Sequence, residues 1–354
     1  MAEKILMKGN EALAEGAVRA GCRFFAGYPI TPQNEVPEYM SWRLPETGGT
    51  FIQAESEVAA INMLYGAAAT GTRTMTSSSS PGISLKQEGI SYCAGARIPI
   101  FYANVVRGGP GLGNIAPSQS DYFQSTRGGG HGDYRVFCMA PGTVSELANF
   151  PHVCYEVGYK YRIPSMILAD GLLGQMMEPV EFKYDPIDPK KLVEPKWALG
   201  ARTGRERRRV RSYDLAPGKM EAFNFELEKI LDEIEAKEVQ FEEYLVDDAE
   251  LILTGYGSAA RVCKSAVAVA RKEGLKVGLI RPITVWPFPK KRFAQLAEKT
   301  KHFLVVEMSL GQYVEDVQLS IMGKAKVDLH KRPGGGIPTP EEIFILIKKL
   351  MGKA

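Results

Sequence analysis

Glu57 is the residue whose type and surroundings point most directly to chemistry. It lies in Gln53-Ala54-Glu55-Ser56-Glu57-Val58-Ala59-Ala60-Ile61. At about 100° per residue, a helix through this stretch puts Glu57 on one face with Ile61, Leu64 and Ala68, with Glu55 almost opposite. A carboxylate on an apolar face must find a partner or take up a proton, and groups held that way serve acid–base work or pairing. From the residues alone, a catalytic carboxylate and a structural salt bridge both fit.

Three further stretches end apolar runs with groups able to meet a ligand. Gly27-Tyr28-Pro29-Ile30-Thr31-Pro32 follows Phe24-Phe25-Ala26. Each proline fixes its own φ and biases the preceding residue towards extended backbone, so neither a helix nor a ladder runs through. The result is a stiff loop at a strand end, the place where open α/β sheets put ligands, with Thr31 and Tyr28 aimed outwards; a proline turn without a ligand is the plainer alternative. Arg107 ends the run 98–106 and opens Gly108-Gly109-Pro110-Gly111-Leu112-Gly113. A guanidinium there either binds a carboxylate through two parallel hydrogen bonds or pairs with a structural acid. The loop is no dinucleotide fingerprint, because the next required glycine falls at Asn114. Ser77-Ser78-Ser79-Ser80-Pro81-Gly82 offers hydroxyls and backbone donors, and also suits a plain turn.

The elements that must carry these groups alternate. Helical spacing runs from Gly9 and stops at Gly21; residues 50–53 form a strand, 56–70 a helix, 73–77 a strand and 84–96 a helix. Residues 98–106 are the clearest buried strand, followed after a second glycine loop (128–132) by strand 134–139, helix 143–161 and strand 165–169. This order predicts a mainly parallel sheet covered on both faces over residues 1–178. Prolines at 179, 186, 189, 195 and 217 break the alternation over 179–249, a connector with one charged helix at 219–244. A second α/β unit, 250–354, begins with strand 251–254, Gly255-Tyr256-Gly257-Ser258 and helix 259–272. It continues with strands 276–280 and 301–306, separated by Arg281-Pro282-Ile283-Thr284-Val285-Trp286-Pro287, and ends in helix 340–351. Its glycines mark a tight turn, since the lysine of a phosphate loop is missing.

Composition removes several function classes. The 354 residues are 45% hydrophobic and 24% charged, and 44 basic against 41 acidic residues leave a formal charge of +3, too little to recruit nucleic acid or a membrane. The N-terminus has no long apolar stretch and no later run spans a bilayer, so a cytoplasmic location is expected. Cys22, Cys93, Cys138, Cys154 and Cys263 never form C-x-x-C, and His131, His152, His302 and His330 are equally dispersed, so no metal site is expected in this chain. The run Arg202-Thr203-Gly204-Arg205-Glu206-Arg207-Arg208-Arg209-Val210-Arg211 suits an acidic partner or a solvated loop.

Tyr28-Pro29-Ile30-Thr31-Pro32, Gln53-Ala54-Glu55-Ser56-Glu57, the 77–82 loop, Arg107-Gly108-Gly109-Pro110 with Ser118-Gln119-Ser120-Asp121, and Arg281 to Pro287 together resemble the α subunit of 2-oxoacid:ferredoxin oxidoreductases. The likeness is strongest to the separate α chain of branched-chain (2-oxoisovalerate) enzymes, with 2-oxoglutarate enzymes next. It implies a thiamine diphosphate pyrimidine-binding domain at 1–178 and a smaller transketolase C-terminal-like domain at 250–354. Glu57 would hydrogen-bond the aminopyrimidine ring, with Tyr28, Pro29, Ile30 and Ser79 beside the cofactor, while Thr31 and Arg107 would bind the substrate carboxylate. The Gly-Asp-Gly…Asn motif that holds the diphosphate and Mg²⁺ is missing. Ala169-Asp170-Gly171 is the nearest approach, and no Asn lies between Asn149 and Asn224. A β subunit is therefore expected to supply diphosphate binding, Mg²⁺ and [4Fe-4S] clusters, with γ and ferredoxin-like δ chains, ferredoxin and CoA as further partners. A non-catalytic assembly subunit is the alternative from another class.

Overall fold

The computed structural model describes residues 4–200, 204 and 206–353. From the N-terminus, β1 (Ile5–Lys8), α1 (Gly9–Arg19), β2 (Phe24–Gly27), α2 (Glu35–Glu46), β3 (Thr50–Gln53) and α3 (Glu57–Ala69) come first. Then follow β4 (Thr74–Ser78), α4 (Pro81–Gly95), β5 (Phe101–Val106), α5 (Tyr122–Thr126), β6 (Phe137–Met139) and α6 (Val144–Tyr161). β7 (Ser165–Asp170), α7 (Gly171–Gln175), β8 (Met177–Val180) and α8 (Lys219–Lys237) lead to the C-terminal part. That part contains β9 (Phe241–Tyr244), β10 (Leu251–Thr254), α9 (Gly257–Lys272), β11 (Val277–Pro282) and β12 (Thr284–Trp286). It ends with α10 (Lys290–Lys299), β13 (His302–Glu307), α11 (Tyr313–Ile321), β14 (Lys326–Lys331) and α12 (Pro340–Leu350).

The large sheet has seven strands in the order β12-β6-β7-β5-β4-β2-β3. All neighbours are parallel except β12 with β6. Every residue of β4, β5 and β7 is buried, as expected of strands covered on both faces. Because β3 and β4 flank β2 on opposite sides, the chain changes direction across the sheet there, and a crevice opens beyond the strands' carboxyl ends. Strands β5, β4, β2 and β3 are adjacent and parallel, so the stretches beginning at Arg107, Ser79, Tyr28 and Ala54 all leave from one edge.

The second sheet, β14-β13-β10-β11-β9, is parallel except for β9. The charged helix expected over 219–244 ends at Lys237, and Phe241–Tyr244 instead becomes an edge strand. Gln240 explains the break: its N–H and carbonyl bond to Thr284, which fixes extended backbone just beyond the helix. The stretch 281–287 is divided as well. Arg281 and Pro282 finish β11, whereas β12 crosses over to extend the large sheet. Helix α2 is not among the elements expected from the sequence. Pro37 falls in its first turn, where a missing N–H costs little, and Pro45 is its last residue but one, close to where the helix ends.

The two sheets share one apolar core that runs from Phe25 and Tyr102 to Ile252, Phe303 and Tyr313. Gln119 forms the clasp between them. Its side chain donates to the Tyr256 carbonyl (2.8 Å) and accepts from the Met308 N–H (3.0 Å), and Tyr256 returns a bond from its hydroxyl to the Gln119 carbonyl (3.0 Å). Gly257 turns at φ 55°, and a Cβ there would stand 3.1 Å from Asp170 Oδ2 and 3.2 Å from Gln119 Nε2, so both backbone and space favour glycine. The glycine turn after β10 is therefore a docking point rather than a phosphate loop.

Candidate active site

Glu57 opens α3. Ser56 precedes it with extended backbone and accepts the Ala59 N–H at 3.2 Å, so the helix is capped by a side chain and Glu57 stands in its first turn, where the helix dipole favours a carboxylate. Its side chain is turned inward and 7% exposed, sharing the buried face with Ile61, Leu64 and Ala68; Glu55 is exposed. Helix α4 meets it at Gly82. A Cβ at position 82 would stand 2.7 Å from Glu57 Oε1 and 2.1 Å from Ser78 Oγ, so only glycine allows this approach.

The serine run turns sharply from β4 into α4, which starts at Pro81, three residues earlier than its spacing suggested. Ser80 carries the turn with φ 27° and ψ −83°, a strained conformation for a residue with a side chain. It is held by its surroundings. The Ser80 N–H donates to Asn104 Oδ1 (3.0 Å), the Arg107 N–H donates to Ser80 Oγ (3.1 Å), and Asn104 donates on to Asp121 (2.9 Å). Burial pushes the Asp121 carboxyl up, against the hydrogen bonds from Ser80 and Asn104. Ser78 and Ser79 are completely buried, and neither hydroxyl has a hydrogen-bond partner among the described residues.

Arg107 is 6% exposed. Its Nη1 donates to the Thr31 carbonyl (2.9 Å) and its Nη2 to the Leu112 carbonyl (3.0 Å), while Nε is buried and unpaired. The expected structural acid is not its partner: the guanidinium ties the proline loop to the glycine loop, and each Nη keeps a second N–H. The proline loop is also gripped from beneath, since Asn10 and Gln175 both donate to the Pro32 carbonyl (2.8 and 2.9 Å) and Ser77 bonds to Gln33. Tyr28, Pro29 and Thr31 remain exposed and Ile30 half-buried.

Sequence reasoning missed Lys86. It lies one turn after Gly82 on α4, is completely buried, and donates to the Ser77 carbonyl at 3.3 Å. Burial pushes its ammonium down to about 8, and the Glu57 charge pulls it back. Spacing from Gly82 was the available signal, because residues four apart share a helix face. The arginine run is partly legible: Arg202, Thr203 and Arg205 lie outside the described residues, while Arg208 donates to the Ala198 carbonyl and Arg211 pairs with Asp214.

Four loops converge beyond a switch point, with a helix-opening carboxylate and unpaired buried donors, where open α/β sheets place a ligand. The family comparison agrees. Residues 15–242 match the thiamine diphosphate-binding domain of the pyruvate flavodoxin/ferredoxin oxidoreductases, and residues 249–343 match core domain II of pyruvate:ferredoxin oxidoreductase. The chain belongs to the 2-oxoacid:ferredoxin oxidoreductase family. It is 46% identical over 349 residues to the ketoisovalerate oxidoreductase subunit VorB of Methanothermobacter marburgensis, covering 99% of this chain and 98% of that one. Its identity to the 2-oxoglutarate synthase subunit KorA of Methanothermobacter thermautotrophicus is 35%, covering 99% of this chain and all of the relative. The order of the two resemblances read from sequence is thus the order of identity. The 2-oxoglutarate:ferredoxin oxidoreductase of Magnetococcus marinus, solved with 2-oxoglutarate, coenzyme A and succinyl-CoA, superposes with a TM-score of 0.87 at 25% identity; the match covers 98% of this chain and 65% of that one. A split-gene transketolase shares the fold alone, with a TM-score of 0.60 at 10% identity. No helix among the described residues is long and apolar enough to cross a membrane.

Proposed function

We propose that this chain is the α subunit of a cytoplasmic enzyme that converts a branched-chain 2-oxoacid and CoA into acyl-CoA, CO2 and reduced ferredoxin. The observation that carries the reading is the buried Glu57 carboxylate, set against Gly82 at the edge where the unpaired Ser78 and Ser79 hydroxyls and Arg107 Nε also lie. These orphaned groups fit a polar ligand with a ring nitrogen and an anionic substrate. Bound thiamine diphosphate supplies a carbon nucleophile for the 2-keto group and stores the electrons left when CO2 departs. Glu57 holds a proton at the pyrimidine ring nitrogen, and Tyr28, Pro29, Ile30 and Ser79 line the ring. Arg107 and Thr31 hold the substrate carboxylate, with Arg107 already oriented by its two carbonyl partners.

The domain division is part of the same reading: a pyrimidine-binding unit at 1–178, a connector at 179–249 and a transketolase C-terminal-like unit at 250–354. A β subunit supplies diphosphate binding, Mg²⁺ and [4Fe-4S] clusters, and γ and δ chains and ferredoxin complete the electron path. The 2-oxoglutarate reading is the second one, favoured by the 35% identity to the KorA relative.

The test is anaerobic dye reduction by the complex co-expressed with its partner chains, given thiamine diphosphate, Mg²⁺ and CoA. Preference for 3-methyl-2-oxobutanoate and a collapse of at least about 100-fold in Glu57→Gln are expected. A preference for 2-oxoglutarate changes the substrate assignment alone. Activity that survives Glu57→Gln would make this an assembly subunit instead.

A further inference from the structure

We propose that Asp121 and Asn104 are positioning residues: through them Ser80 is held in its strained turn, and Ser80 in turn fixes Arg107 for the substrate carboxylate. The inference rests on the role given to Arg107 above. Asn104 is completely buried in β5, where it stands opposite Ser78 in the ladder. An amide in the interior is costly unless both of its ends are bonded, and here both are. Asp121 accepts from Nδ2 at 2.9 Å, and Oδ1 is thereby turned to the Ser80 N–H, 3.0 Å away. Asp121 has a nearer use that it does not take. It stands at the cap position before α5, where an aspartate ordinarily accepts a backbone N–H of the first turn, yet its side chain makes no cap bond. That side chain is turned to Asn104 instead.

The turn so held acts on one residue in particular. At φ 27° and ψ −83°, Ser80 lies where a residue with a side chain stays only if its surroundings over-determine it. Its hydroxyl meets both backbone groups of Arg107, accepting the N–H (3.1 Å) and donating to the carbonyl (3.3 Å). Arg107 follows the last residue of β5, so these two bonds fix the backbone from which its side chain leaves. The Thr31 and Leu112 carbonyls aim the guanidinium, and Ser80 anchors the chain behind it. A two-point contact with a carboxylate depends on direction as well as charge. Releasing Ser80 therefore loosens the hold on substrate without removing the cation.

The test is the KM for 3-methyl-2-oxobutanoate, or for 2-oxoglutarate should that be the better substrate, in anaerobic dye reduction by the complex co-expressed with its partner chains. Asp121→Ala and Asn104→Leu should raise KM about 10-fold and change kcat by less than about 3-fold. Asp121→Asn, which keeps an acceptor oxygen for Asn104, should recover most of the loss. Ser80→Gly is the decisive variant, because glycine tolerates the positive φ but has no hydroxyl. Its thermal midpoint should stay closer to wild type than that of Asp121→Ala, and its KM should rise as much. A purely structural role would lower stability and the yield of assembled complex and leave KM where it is. In an Arg107→Leu background, Asp121→Ala should add no further rise in KM, since the two act through one contact. Wild-type KM in Ser80→Gly, or in folded Asp121→Ala, would overturn the proposal. If Arg107→Leu raises KM while Ser80→Gly and Asp121→Ala do not, only the positioning is misassigned; if Arg107→Leu keeps the wild-type KM, the reading of Arg107 itself fails.

Discussion

Two residues beside Glu57 lead to measurable consequences because both are packed without slack. At Gly82 an added Cβ would meet Ser78 Oγ at 2.1 Å and Glu57 Oε1 at 2.7 Å, both atoms of buried side chains. Gly82→Ala should therefore cost about 1–3 kcal/mol in denaturant unfolding, the usual range for overpacking, and should lower activity by moving Glu57. Lys86 gives a pH signature. Burial holds its ammonium down to about 8 in the folded state, below the ordinary lysine value of 10.5, so below pH 8 both states are charged and the full burial cost is present. Between pH 8 and about 10.5 the folded state releases its proton first and stability rises. Lys86→Met should be roughly 3 kcal/mol more stable than wild type at pH 7, with the gap closing by about pH 10.5. Urea midpoints across that range measure it. Glu57 was legible in the sequence because a carboxylate interrupts an otherwise apolar helical face. Lys86 was not, because a lysine in a helix ordinarily marks the solvated side, and only the neighbouring helix reveals that this one is enclosed.

Among the elements, those legible from sequence are the ones whose local pattern agrees with their environment: α3, α6 and α12 begin at Ser56, Thr143 and Thr339, each capping with its own side chain. The elements that escaped are set by distant partners. β12 is three residues long and exists because β6 offers an open edge. β9 forms against β11, and nothing in Phe241-Glu242-Glu243-Tyr244 separates it from the charged helix before it. The stretch Ser118-Gln119-Ser120-Asp121 was legible as important without its purpose being legible. Asp121 supports the strained Ser80 turn through Asn104, while Gln119 joins the two sheets. Gln119→Ala would leave the buried Tyr256 carbonyl and Met308 N–H without their side-chain partner. A loss of roughly 2–4 kcal/mol is expected, seen as a lower thermal midpoint of the whole chain rather than of one unit, because the core is shared.

At the scale of the whole molecule, the parallel strands deliver the loops that carry Glu57, Thr31 and Arg107 to one edge, and that edge is open. Tyr28 and Thr31 are exposed there, and Leu112 and Ile115 of the glycine loop are 80% and 66% exposed. The carboxylate nearest in sequence to a diphosphate motif, Asp170, is used up elsewhere. It caps α7 through the Leu173 N–H (3.1 Å) and receives both the N–H and the hydroxyl of Ser258 (3.1 and 2.7 Å), so it joins β7 to α9 in the second sheet's layer. A carboxylate with those three donors has its oxygens turned into the protein and little left to give a cation. This yields a prediction about division of labour. Asp170→Asn should weaken the chain by about 1–3 kcal/mol, since the amide NH2 faces donors it cannot accept from. It should nevertheless leave the Mg²⁺ concentration for half-maximal activity of the assembled complex unchanged, and the isolated wild-type chain should reduce no dye with any Mg²⁺ added until its partner chains are present. A Mg²⁺ requirement raised 10-fold by Asp170→Asn, or turnover by the isolated chain, would mean that this chain holds the metal itself and that the missing Gly-Asp-Gly…Asn motif has been replaced by another arrangement within it.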